Sequence, residues 1–116
     1  MKDELIVFSK PKSNISEDIR TIRTNLKFTA NDDAKVLLVT SSVPGEGKSF
    51  ISSNLAAAFA QTGEKVLLVD ADLRLGRVHK IFNQSAAKGF SNMLISGTSE
   101  DLPEYIKKTT IPNLYI

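Results

Sequence analysis

The stretch Ser41-Ser42-Val43-Pro44-Gly45-Glu46-Gly47-Lys48-Ser49 has the residue types and the spacing to grip a polyphosphate. Gly45 and Gly47 let backbone amides converge on phosphate oxygens without side-chain obstruction. The helix expected to follow aims its N-terminal amides and their partial positive charge at the same point. Lys48 is placed to bridge β- and γ-phosphates, and Ser49 to ligate Mg2+. Pro44, Glu46 and Phe50 complete the nucleotide-binding stretch, with the Glu46 side chain outward while its amide faces in. The usual pattern opens with Gly where this chain has Ser42. The bland alternative is a Gly-rich turn carrying an exposed lysine.

A second group of acids is Asp70-Ala71-Asp72. Two carboxylates beside a metal–phosphate centre can hold Mg2+ or its waters, and one can serve as base for an incoming hydroxyl. The competing reading is that one of them caps the next helix. Arg74 and Arg77 could meet phosphate or an acidic substrate, although surface arginines are commonplace. His79, the one histidine of the chain, is better read as structural or exposed than as a base.

These groups need a scaffold, and the apolar pattern provides one. Lys35 to Ser41 (KVLLVTS) is a continuous apolar run, as in a strand buried on both faces of a parallel sheet. Lys65 to Asp70 (KVLLVD) repeats it almost letter for letter. Between them Ser49 to Thr62 reads as a helix rich in alanine, with Gly63 at the position of a left-handed C-terminal cap. Strand, helix and strand make one right-handed parallel crossover. Both the glycine loop and Asp70-Ala71-Asp72 then fall at the carboxyl ends of strands, where open α/β sheets bind ligands.

Upstream, residues 1–15 read as an extended arm and residues 16–116 as the N-terminal part of one domain. A helix is expected from about Glu17 to Phe28, with Ile19, Ile22 and Leu26 on one face and Glu17, Arg20 and Arg23 on another. Asn14 and Ser16 are its candidate caps. Downstream, short helices are expected over Val78–Phe82, Phe90–Ile95 and Leu102–Lys107, and a strand at Leu114-Tyr115-Ile116.

Bulk properties set the outer limits. One domain is the ceiling for 116 residues, of which 41% are hydrophobic and 24% charged, the balance of a folded globular protein. A net charge of +2 is too small to argue for a nucleic-acid or membrane surface on electrostatic grounds alone, and no nucleic-acid partner is expected. Without cysteine there is neither a disulfide framework nor a thiolate metal site. No run approaches the ~18 apolar residues of a membrane span.

Taken together, PGEGKS, LLVDADLR, HKIF and GFSNML resemble the bacterial tyrosine kinases that regulate capsule and exopolysaccharide synthesis, from about Ser13 onward. The resemblance implies a P-loop NTPase-type α/β fold, a parallel sheet flanked by helices. It assigns Lys48 and Ser49 to a Walker A motif. Asp70 and Asp72 fall in a Walker A′ motif serving Mg2+ and activation of the substrate tyrosine. ATP and Mg2+ are the implied cofactors, and protein tyrosines the substrates. Gly76 stands where the family prefers proline. Glu17, Arg20 and Arg23 match an E-x-x-R-x-x-R pattern, which implies an interface in a homo-oligomer. A transmembrane activator of the polysaccharide export system is the implied partner, with cytoplasmic localisation at the membrane through it. The Walker B strand and a C-terminal tyrosine cluster, two further family features, are expected beyond this stretch; Tyr105 and Tyr115 do not form such a cluster.

Two other readings compete. A partition or septum-positioning (ParA/MinD-like) ATPase would carry a signature lysine at the position of Val43. A non-catalytic remnant would act by binding or assembly, because a cut sheet leaves apolar edges in need of a partner.

Overall fold

Ser13 decides where the first long helix begins. The structure, a computed structural model, describes residues 5–29, 36–40, 47–71, 78–82, 94–95 and 105–116. In it the Ser13 hydroxyl oxygen accepts the Ser16 amide at 3.2 Å, which satisfies one of the orphan donors of a helix start. The helix therefore runs Asn14–Thr29, longer than expected, and the cap is Ser13 rather than Asn14 or Ser16. Before it the arm is not extended: Ile6–Ser9 forms a single helical turn, α1, whose Val7 is 0% exposed. Burial of Val7 and Leu5 in the core draws the arm onto the domain.

Helix α2, Asn14–Thr29, turns an unexpected face inward. Ser16 and Ile19 are buried and Arg23 and Leu26 half-buried, a row at helical spacing, while Ile15 and Ile22 face solvent. Ile22 thus leaves the apolar face assigned to it and Arg23 enters it. Arg23 is half-buried there, and its guanidinium reaches a carbonyl of the next helix.

That next helix, α3, spans Lys48–Ala60, and glycines bracket it at both ends. Gly47 has φ 88° and Gly63 φ 92°, left-handed values that side chains resist. The Gly63 amide donates to the Ala60 carbonyl at 3.1 Å and closes the C-terminal turn as the sequence predicts. From Ser53 to Ala58 every residue is buried, and the alanines let neighbouring elements approach closely without loss of side-chain entropy.

The sheet holds one parallel pair among the described residues, β1 (Val66–Leu67) beside β2 (Leu114–Tyr115), in register Val66 to Leu114. The Val66 amide donates to the Asn113 carbonyl at 2.8 Å and the Leu68 amide to the Tyr115 carbonyl at 2.9 Å. The strand expected at Lys35–Ser41 is not seen over residues 36–40, which join no ladder, with Val36 87% and Leu38 88% exposed. An apolar run becomes a strand only when its amides and carbonyls meet a partner. Among the described residues the parallel neighbour of β1 is β2, not the first apolar run.

Residues 107–109 also depart from expectation. The helix expected to reach Lys107 is over by Ile106, and Lys107 instead exchanges two backbone hydrogen bonds with Ile116, at 2.7 and 2.9 Å. This antiparallel return turns at Asn113, whose φ of 68° is one that asparagine tolerates. Helix α4 covers Val78–Ile81, close to the expected span. Of the helix expected over Phe90–Ile95, residues 94–95 are described and helical, and the remainder lies outside the described residues. Val7, Ile19, Leu55, Ala57, Ile81 and Leu114 share one core, so arm, helices and sheet close on the same centre. Among the described residues no helix is long and apolar enough to cross a membrane.

Candidate functional site

Lys48 and Ser49, both half-buried, open α3 directly after the left-handed Gly47. A Cβ on Gly47 would meet nothing within 4 Å, so glycine is needed there for its backbone conformation and not for space. The first rung of the helix is the Ile51 amide donating to the Gly47 carbonyl at 2.9 Å. The amides ahead of that rung have no intrahelical acceptor, and the helix dipole adds positive potential at the same end. Ser52 Oγ donates to the Ser49 carbonyl at 3.2 Å, and Asn54 Nδ2 to the Phe50 carbonyl at 2.9 Å, so two side chains brace this first turn from behind.

Asp70 comes to the same edge by simple geometry. Helix α3 has thirteen residues, about 20 Å of axis. It packs against β1 after a turn at residues 61–63, so the chain runs back along it. Six extended residues, 65–70, cover about 20 Å, which returns Asp70 to the level of Lys48. Exposure alternates along 65–70, and Asp70 shares the half-buried side with Val66 and Leu68. Its Oδ2 accepts the Val78 amide at 3.2 Å, which is the capping role weighed for one of the two acids. Hydroxyl and carboxylate oxygens are the hard donors that Mg2+ selects, so the Ser49–Asp70 edge fits the implied ion chemically.

Several expected site residues, Pro44, Gly45, Glu46 and Asp72, lie outside the described residues, as do Arg74 and Arg77. His79 is half-buried on α4. The Glu17, Arg20 and Arg23 trio is placed, and its two arginines have work within the chain. Arg20 Nη1 donates to the Pro11 carbonyl at 2.7 Å, and Arg23 Nη1 to the Ala58 carbonyl at 2.7 Å. Ala58 is among the last four residues of α3, whose carbonyls lack intrahelical donors, so Arg23 acts as a cationic cap at the negative end of the helix dipole. Glu17 is exposed.

Sequence reasoning passed over Asn54 and read Ser16 only as a candidate cap, yet both are 0% exposed and bonded to the N-terminal arm. The available signal was a lone amide among Leu55 and three alanines on a helix with no polar face.

Similarity to known proteins follows the same outline. The family model described as the CobQ/CobB/MinD/ParA nucleotide binding domain matches residues 37–109, well over half of the chain. Tyrosine-protein kinase YwqD of Bacillus subtilis (strain 168) is 46% identical over 100 residues, which is 85% of this chain and 42% of that protein. Among solved structures, the chimerical protein CapA2B2 superposes with a TM-score of 0.88 at 41% identity, covering 97% of this chain and 49% of that one. The BceF tyrosine kinase domain gives a TM-score of 0.83 at 33% identity, over 96% of this chain and 43% of that one. The chain thus spans less than half the length of each of these three relatives. Its α/β fold, its left-handed Gly47 at the head of α3 and the match over residues 37–109 place it in the CobQ/CobB/MinD/ParA nucleotide-binding domain family, alongside bacterial tyrosine-protein kinases.

Proposed function

We propose that this chain supplies the nucleotide-gripping part of an ATP-dependent protein-tyrosine kinase that acts in capsule or exopolysaccharide synthesis. The reading is supported by Lys48 and Ser49 on the first turn of α3, directly after the left-handed Gly47, and by Asp70 at the end of the run that packs back along that helix. Lys48 neutralises β- and γ-phosphate charge, and the amides at the head of α3 hold phosphate oxygens. Ser49 and Asp70, together with Asp72, hold Mg2+, which when bound supplies charge neutralisation to the transferring phosphoryl group. One of the two aspartates accepts the proton of the incoming tyrosine hydroxyl. Catalysis of this kind rests on positioning and electrostatics more than on covalent steps.

Glu17 is the exposed member of the α2 trio and the one open to a second copy of the chain. A membrane-spanning activator of the export system is the expected partner, and it would bring the kinase to the cytoplasmic face of the membrane. A nucleotide-driven assembly switch is the second reading, favoured by the breadth of the matched family. Val43, where such switches carry lysine, weighs against it.

The test is MgATP binding by calorimetry and tyrosine phosphorylation by mass spectrometry, with the chain alone and with the cytoplasmic segment of an activator. Lys48→Ala is expected to weaken MgATP binding about tenfold or more, because a charged contact to phosphate is lost. Absence of nucleotide binding by the parent chain under both conditions would sink the kinase and switch readings alike. Binding without phosphorylation under either condition would favour the switch.

A further inference from the structure

The N-terminal arm is held to α3 by its backbone. Val7 donates its amide to Asn54 Oδ1 at 3.2 Å, and Gln61 Nε2 donates to the Val7 carbonyl at 3.4 Å. Asn54 and Gln61 are seven positions apart, two helical turns, and so lie on one face of α3. The Val7 side chain is meanwhile fully buried in the core. The other side of the arm is held to α2: the Ser16 hydroxyl lies 2.6 Å from the Lys10 carbonyl and 3.0 Å from the Ile6 carbonyl, and donates its one proton to either.

Asn54 occupies the decisive place in this arrangement. While its Oδ1 accepts from the arm, its Nδ2 donates to the Phe50 carbonyl, on the turn that begins with Lys48 and Ser49. Side-chain donation to a carbonyl four residues back adds a second donor to a ladder position and sets the local bend of a helix. A buried amide with both ends engaged is rotationally fixed, so a displacement of the arm is transmitted to the first turn.

We infer that Asn54 is a positioning residue for the phosphate-binding turn, and that the N-terminal arm sets the geometry of the nucleotide site through it. The inference rests on the reading of the first turn of α3 as that site. It gives the arm, which lies outside the matched 37–109 segment, a role in nucleotide affinity. It also links α2 to the site through Ser16, the arm and Asn54 in turn.

The experiment uses the full chain with Asn54→Leu, which keeps approximate volume and helix propensity but removes both hydrogen bonds. Ser53→Ala is the control: Ser53 is equally buried, and its Oγ has no hydrogen-bond partner among the described residues, so its loss leaves the turn unaltered. Affinity for MgADP is measured by calorimetry at a temperature where circular dichroism shows all variants fully folded. Amide exchange is followed at Val7 and at Ile51, whose bond to Gly47 is the first rung of α3. The expected result is a Kd about five- to tenfold weaker for Asn54→Leu. Faster exchange at both Val7 and Ile51 should accompany it, with Ser53→Ala matching the parent.

A folded Asn54→Leu protein that binds MgADP as the parent does, with Val7 released, overturns the inference. So does unchanged exchange at Val7 or Ile51. If the parent binds no nucleotide, the kinase reading fails on its own. Coupled release of Val7 and Ile51 in the variant would then still support the positioning role. Should Asn54→Leu not fold, Asn54→Ser, whose side chain is too short to reach Val7, carries the same comparison.

Discussion

Residues 36–40 and 65–70 carry nearly the same letters, and the chain treats them oppositely. In the second run Val66 and Leu68 lean on the core while the backbone of 66–68 hydrogen-bonds to residues 113–115. In the first, Val36 and Leu38 stand almost fully in solvent and join no ladder. Composition and periodicity cannot account for the contrast, because the two runs share both. The difference lies in their neighbours: the second run follows α3 by a short turn and packs on it, and β2 offers its backbone edge. Burial of an apolar run is therefore a property of what lies beside it.

The largest effect should come from removing the neighbour. Leu114, 1% exposed, fills the core from β2, and Leu114→Ala is expected to destabilise the chain by about 2–5 kcal/mol. Urea unfolding monitored by circular dichroism gives the value. A loss below about 1 kcal/mol would mean that β2 is not what anchors the second run.

A middle-sized effect tests how β2 is presented. Asn113 holds a left-handed φ, and Asn113→Ala should cost about 1 kcal/mol while Asn113→Gly is neutral or mildly stabilising. Equal melting temperatures for the two variants would show that the turn conformation is not what sets the register of Val66 against Leu114.

The smallest effect is expected in the first run itself. Leu38→Ser should change the stability of this 116-residue chain by no more than about 0.5 kcal/mol, as substitutions at exposed sites do. A cost comparable to that of Leu114→Ala would abolish the distinction between the two runs.

How far the sequence could be read varied with the kind of signal. Gly63 as a helix stop, α3 itself, the short α4 and the strand at Leu114 were legible because each depends on local backbone preference or a strong apolar pattern. The early start of α2 was not, although Ser13 stood one residue before the caps considered. The return of residues 107–109 onto 114–116 was missed because its turn, Pro112-Asn113, was overlooked beside a more obvious helical reading. Of the candidate site, the types at Gly47, Lys48, Ser49 and Asp70 carry the expectation of phosphate and metal chemistry. That Asp70 also caps α4, and that Arg23 caps α3, required the fold, since each bond joins residues on different elements.

Sequence alone settled which atoms are available: a flexible glycine ahead of a lysine and a hydroxyl, an acid at the end of an apolar run, a helix of small residues between them. These are chemical identities and local preferences, and neighbours do not alter them. Tertiary structure decided which of two matching apolar runs becomes strand, which face of α2 turns inward, and that a buried asparagine ties the arm to the turn carrying Lys48. Each of those outcomes depends on contacts between residues far apart in the chain, whose energies no local pattern contains.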